Sequence, residues 1–142
     1  MKSCIFFGHR TVTQNIRDEL FSQISYLIES CGVDTFWVGH QGSFDETVIS
    51  VLESIKKVYT CISCTIVIAN LRDLNKKCVY ELDTIFPEEL EGSIPRFAID
   101  KRNRWMIERS DFAITYVMRD GGAQKYKDIL LKKNKTVIEI SK

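Results

Sequence analysis

The sequence predicts a Rossmann-like, three-layer α/β/α fold on a mostly parallel sheet of about five strands, and three observations carry that prediction. Short apolar runs of strand length recur along the chain, separated by segments whose apolar residues fall at three- and four-residue spacing. The two patterns alternate with short links, and parallel neighbours need such helical crossovers, which are right-handed. Glycine-bearing turns also follow apolar runs at Gly8-His9-Arg10, at Gly39-His40-Gln41-Gly42-Ser43-Phe44-Asp45 and at Gly121-Gly122. In an α/β sheet the carboxyl ends of the strands are where ligands sit, so these turns are expected to meet at one edge.

Taken in order, Lys2 to Phe7 reads as a buried first strand ending at Gly8. Thr13 is placed to cap a helix with Ile16, Leu20, Ile24, Leu27 and Ile28 on one face, closed by Cys31-Gly32. Asp34 to Val38, β-branched and aromatic, is a second strand. From Ser43 a second helix carries Phe44, Val48, Val51, Leu52 and Ile55 on one side, and Ser43 with Glu46 matches a capping box. Ile62 to Ala69 is a third, interior strand. Residues 70–96 are irregular and charged, with Gly92, Pro87 and Pro95, which suits a lid, an oligomer contact or a solvated excursion. Phe97 to Ser110 reads as a helix with Trp105, Met106 and Ile107 inward, and Asp111 to Val117 as a fourth strand. A last helix opens at Gly121 and runs through Lys133, and Lys135 to Ile140 is a fifth strand. The crevice of such a sheet opens where strand order reverses, here between the strands ending at Gly8 and near Gly121.

At 142 residues, 44% of them hydrophobic, the chain suits one domain, 1–142, with its own core. Twenty basic against nineteen acidic side chains leave a formal charge of +1, which offers no bulk field for nucleic acid or an anionic membrane. The apolar runs fall far short of the roughly 20 residues a membrane span needs, and Met1 to Phe7 is too short and too soon interrupted for a signal peptide. A cytoplasmic protein with no membrane partner is expected. Cys4, Cys31, Cys61, Cys64 and Cys78 are odd in number and scattered, which reads as reduced thiols. Cys61-x-x-Cys64 has the spacing of a redox or zinc half-site, but no second Cys/His pair follows at ligand-like distance, so neither metal nor cofactor is expected.

None of the turns is the usual dinucleotide fingerprint, and no GxxxxGK[ST] occurs, which argues against an ordinary NAD or P-loop enzyme. Three glycine turns with Arg10, Arg102 and Asn103 suit instead an anionic, sugar-containing ligand. His9 and His40 each follow a glycine at a strand end, as ligand contacts or as turn hydrogen-bonders. Asp45 is a candidate partner for ribose hydroxyls or a helix cap. Phe44 and Trp105 are candidates to stack on a base, or core residues, while Arg104 and Arg109 read as surface.

The segments CIFFGHR, VGHQGSFDETV and RNRWMIERSDFAITYV with its following GGA resemble the SLOG superfamily, in particular its small single-domain bacterial members, over nearly the whole chain. The resemblance implies a Rossmann-like fold that binds nucleotides or nucleotide-derived molecules, with homo-oligomers. Some members are LOG-type phosphoribohydrolases acting on nucleoside monophosphates, and others resemble sensors of nucleotide signals in antiviral defence. The LOG pattern's glycine-rich turn after the second strand is matched by Gly39, Gly42 and Ser43, and its basic residue ahead of a methionine by Arg102 and Met106. With the residues read from the turns themselves, the expected binding set is Gly8, His9, Arg10, Gly39, His40, Gly42, Ser43, Phe44, Asp45, Arg102, Asn103, Met106, Gly121, Gly122 and Ala123. The LOG turn GG-x-G-T-x-x-E is only half matched: after Gly121-Gly122 come Ala123-Gln124-Lys125-Tyr126-Lys127, without its further glycine, its threonine or its catalytic glutamate. N-glycoside hydrolysis needs a positioned carboxylate, and acid–base help alone contributes about 10² to 10⁴ in rate. The expectation is therefore a binding protein, a sensor or a sequestering protein, with a LOG-like hydrolase using Asp45 or Glu46 as the alternative.

Overall fold

A computed structural model describes residues 1–71 and 81–140. Its elements are β1 (Ser3–Gly8), α1 (Arg17–Cys31), β2 (Thr35–Val38), α2 (Ser43–Val58), β3 (Ser63–Val67) and β4 (Asp83–Ile85), a 3₁₀ turn at Glu88–Leu90, then α3 (Pro95–Glu108), β5 (Phe112–Tyr116), α4 (Gly122–Lys132) and β6 (Thr136–Glu139). All pairings are parallel, and the sheet order is β4-β3-β2-β1-β5-β6.

Strand residues alternate between two apolar layers, as a pleat covered on both faces requires. Cys4, Phe6, Phe36, Val38, Cys64, Ile66 and Ile114 join the core under α1 and α2, with Leu20, Ile24, Leu27, Val48, Leu52 and Ile55 from the helices. Ile5, Phe7, Val67 and Ala113 point the other way, onto Met106 and Ile107 of α3 and Tyr126 and Leu130 of α4. Strand order reverses at β1, which is flanked by β2 and β5, so the crevice lies between the ends of β1 and β5.

The sheet has six strands rather than about five. The additional strand, β4, lies inside the segment expected to be irregular and pairs with Thr65, Ile66 and Val67 through Asp83, Thr84 and Ile85. Three residues of mixed polarity with Pro87 close behind give no periodic signal, and the pairing is imposed by β3. The middle of that segment, 72–80 with Cys78, lies outside the described residues.

Two caps differ from expectation. Helix α1 begins at Arg17 with Ile16 at its N-cap, and Thr13 is exposed well before it. The backbone ahead of α1 is instead tied to α2: Ser43 N–H donates to Arg10 O at 2.7 Å and Val12 N–H to Ser43 Oγ at 2.7 Å. The Ser43 hydroxyl is thereby engaged outside its own helix, so the capping box with Glu46 does not form and Gly42 is the N-cap of α2. At its other end α1 closes as expected, on a left-handed Gly32 whose N–H donates to Leu27 O.

Candidate functional site

A cavity of about 450 Å³ opens at the carboxyl ends of β1 and β5. Gly8, His9 and Arg10 form its β1 side, Gly39, Gln41 and Asp45 its β2–α2 side, Ile99, Arg102, Asn103 and Met106 its α3 wall, and Arg119 to Ala123 with Tyr126 its β5–α4 side.

Arg102 dominates the α3 wall. Only 2% exposed, it is the largest fully buried side chain, and its Nη1 donates to Val67 O at 3.0 Å while Nε donates to Asn103 Oδ1 at 2.7 Å. The guanidinium lies flat against the β2 end: a Cβ at Gly39 would fall 2.8 Å from its Cζ. Gly39 is thus a packing position for the arginine. A buried guanidinium needs partners for its donors, and the carbonyl at the end of β3 and the Asn103 amide meet two of them here.

Asn103 also bonds the Tyr126 hydroxyl, which itself donates to Asp100 Oδ1 at 2.7 Å. Asp100 receives Arg104 Nε at 2.9 Å and Lys125 Nζ at 3.1 Å as well. Partial burial works against its charge, but the hydrogen bonds from Tyr126, Arg104 and Lys125 prevail and bring its carboxyl to about 2. Burial and the Asp100 charge push the Tyr126 hydroxyl up. Its ring stacks on Phe7, centroids 5.0 Å apart, so α4 is fixed to α3 and to β1 through one side chain.

Asp45 sits in the first turn of α2, where its Oδ2 accepts from Gln41 N–H at 2.9 Å. Burial raises its carboxyl to about 6 against the opposing pull of Arg102 and of that N–H. It therefore serves its helix terminus and borders the cavity at once, with a proton exchangeable near neutral pH. His9 accepts Met118 N–H on Nε2 at 2.7 Å; burial and the Arg119 charge lower its pKa, while Glu139 opposes them. The neutral ring is thus the stable form.

Of the residues singled out from sequence, Gly8, His9, Arg10, Gly39, Asp45, Arg102, Asn103, Met106, Gly121, Gly122 and Ala123 come together at this cavity. Phe44 does not: it is wholly buried, stacked on Tyr116, and fills the space beside Gly8. Gly42, at φ +102°, makes room for the Arg10 backbone and Ser43 holds Val12, so both tie one loop to another. His40 is half-buried outside the lining, and Glu46 is exposed on a separate hollow bordered by Gln14, Arg17 and Ser50. Trp105 lies on the far side of α3, between Trp37 at 5.3 Å and the Arg109 guanidinium at 4.2 Å, with Nε1 donating to Glu89. Counted from Gly121, the acid position of the LOG turn falls on Asp128, an exposed residue bonded to Gln124 and outside the lining.

Phe6, Phe7, Gln41, Ile99, Arg119, Asp120 and Tyr126 also line the cavity and were missed. Arg119 and Asp120 immediately precede Gly121 in the loop already singled out, so adjacency was the available signal. For Tyr126 there was none beyond its place one helical turn past the glycines.

A larger hollow, about 640 Å³, lies on the outer side of α1 between Asp18, Phe21, Tyr26 and Tyr59, away from the strand ends. Among the described residues no three His, Cys, Asp or Glu side chains group to hold a metal ion, and Cys61 is exposed while Cys64 is buried in β3. No described helix is long and apolar enough to cross a membrane. The chain matches no protein-family model, and no curated protein matches it.

Proposed function

We propose that the cavity between β1 and β5 binds a nucleotide or nucleotide-derived small molecule, and that the protein acts as a sensor or sequestering protein in nucleotide signalling of the bacterial defence or counter-defence kind. One observation carries this reading: three arginines, Arg10, Arg102 and Arg119, border a single cavity with two glycines, Gly121 and Gly122, beside which a Cβ would meet nothing within 4 Å. A helix amino terminus contributes roughly 0.3 to 2 kcal/mol toward an anion, and a charged hydrogen bond about 1.5 to 3 kcal/mol, so the arginines outweigh the turn. Asp45, Gln41, Asn103 and Tyr126 supply the polar groups a ribose would need, and Phe7, Met106 and Ile99 the apolar surface. The sequence resemblance to the SLOG superfamily points the same way, toward homo-oligomers as well.

Calorimetry across nucleoside monophosphates, dinucleotides and cyclic ADP-ribose isomers tests the reading. Stoichiometric binding is expected, with the ligand recovered intact; no heat from any of them overturns it. Arg119→Ala should weaken binding about tenfold or more, and Arg109→Ala, on the far side of α3, should not.

A second reading is favoured by Asp45, whose buried carboxyl at about 6 borders the cavity. There it would serve as the general acid or base of an N-glycoside hydrolase acting on nucleotides. Free base should then appear on chromatography, disappear with Asp45→Asn and persist with Glu46→Gln. Intact nucleotide after long incubation at high protein concentration rules the reading out.

A further inference from the structure

The loop 117–121 supplies Arg119, Asp120 and Gly121 to the cavity, yet its entry is held by side chains. Val117 N–H donates to Glu139 Oε2 at 2.8 Å and Met118 N–H to His9 Nε2 at 2.7 Å. At its exit Gly121 O accepts from Lys125 N–H within the first turn of α4. Met118, Arg119, Asp120 and Gly121 are all exposed. Residues so placed keep one conformation only while those anchors hold.

From this geometry we infer that His9 is a positioning residue: its neutral ring holds loop 117–121 as a wall of the cavity, and protonation at Nε2 releases that wall. The atom that would take the proton is the one that accepts Met118 N–H, so the two cannot coexist. The ring is 7% exposed. The charges around it divide. Arg119 on the loop disfavours a second positive charge and Glu139 on β6 favours it; Arg10 beside His9 in sequence, Arg102 on α3, Asp45 on α2 and Asp120 on the loop border the same cavity. Glu139 is already shared with Lys127 Nζ at 3.1 Å and the Thr115 hydroxyl at 2.6 Å. Tyr116 presents its ring edge-on at 5.9 Å and adds no charge. Protonation therefore costs the loop the anchor at Met118 and sets His9 against Arg119, which moves the arginine away from the cavity.

The release itself needs no ligand; its effect on binding rests on the proposed function. The test therefore uses the ligand-free full chain. Nuclear magnetic resonance between pH 8 and pH 5 would follow the His9 ring, told apart from His40, together with the Met118 amide. The Met118 amide shift should titrate with the same midpoint as the His9 ring, and the protection of amides 117–122, taken relative to their intrinsic exchange rate at each pH, should fall at least tenfold below it. His9→Gln, which offers a non-titrating acceptor at nearly the same reach, should abolish the step. A Met118 amide indifferent to the His9 titration, unchanged protection of amides 117–122 across it, or a step that survives in His9→Gln overturns the inference; the wild-type titration decides even if the variant folds poorly. Absent ligand heat would overturn the proposed function and leave this result standing.

Discussion

In the turns after β1 and β2, the space a side chain would need beside glycine is already filled by the protein: the Phe44 ring at Gly8, the Arg102 guanidinium at Gly39, the Arg10 backbone at Gly42. In the turn after β5 the corresponding space at Gly121 and Gly122 is open. All five are glycines at strand ends, and on the sequence alone they carry the same meaning. The structure divides them into three that let the chain pack on itself and two that leave room for something else. From the first group Gly8 and Gly39 line the cavity while Gly42 ties two loops together, and the second forms the part of the cavity's rim where a foreign atom can approach the backbone.

The sharpest break of that comparison is Gly8→Ala. Its methyl would enter the Phe44 ring, which is wholly buried in the larger core, so overpacking should cost about 3 kcal/mol in chemical denaturation. A loss below about 1 kcal/mol would mean that the ring has room to retreat.

Asp45→Asn probes the interior character of the β2–α2 turn through pH. The folded state lifts the Asp45 carboxyl from 3.8 to about 6, so folding favours its protonated form. Stability from this group is complete below about pH 4 and is lost as pH rises through 6. The asparagine variant mimics the protonated form, so its advantage over wild type should grow from pH 4 to 6 and level above, reaching about 3 kcal/mol. A difference flat across that window would place the carboxyl in ordinary solvent.

Gly39→Ala should cost about 1 to 2 kcal/mol, because the atoms in its way belong to the end of a long side chain that can shift at the expense of its bond to Val67 O. Calorimetry on the same variant should show a loss of ligand binding larger than the loss of stability. Gly122→Ala is the smallest perturbation and the most telling: in open space at the first position of α4, it should change stability by no more than about 0.5 kcal/mol, toward stabilisation. Under the proposed function it nevertheless weakens ligand binding about tenfold. Unaltered binding in this variant would remove the distinction between the two groups of glycines.

Short apolar runs made β1, β2, β3 and β5 readable, and apolar positions at helical spacing made α1 and α2 readable, because burial on one or both faces selects residue type directly. Strand β4 was not readable, since its pairing comes from β3 and not from Asp83, Thr84 or Ile85 themselves. At the site, parallel topology placed the crevice correctly between β1 and β5. What sequence could not supply was the inside or outside sense of each glycine, which depends on partners far along the chain: Phe44 for Gly8 and Arg102 for Gly39. The same limit hid Tyr126, whose place is set by Phe7 and Asp100 on other elements.

The brevity of β4 has a consequence for self-association. This flank of the sheet offers three residues, one of them the exposed Asp83, and the opposite flank, β6, offers four, with Glu139 held to Lys127. Neither presents the long, flat, uncharged row of amides and carbonyls that templates strand addition between molecules. Among the described residues, edge-to-edge pairing is thus disfavoured at both ends of the sheet.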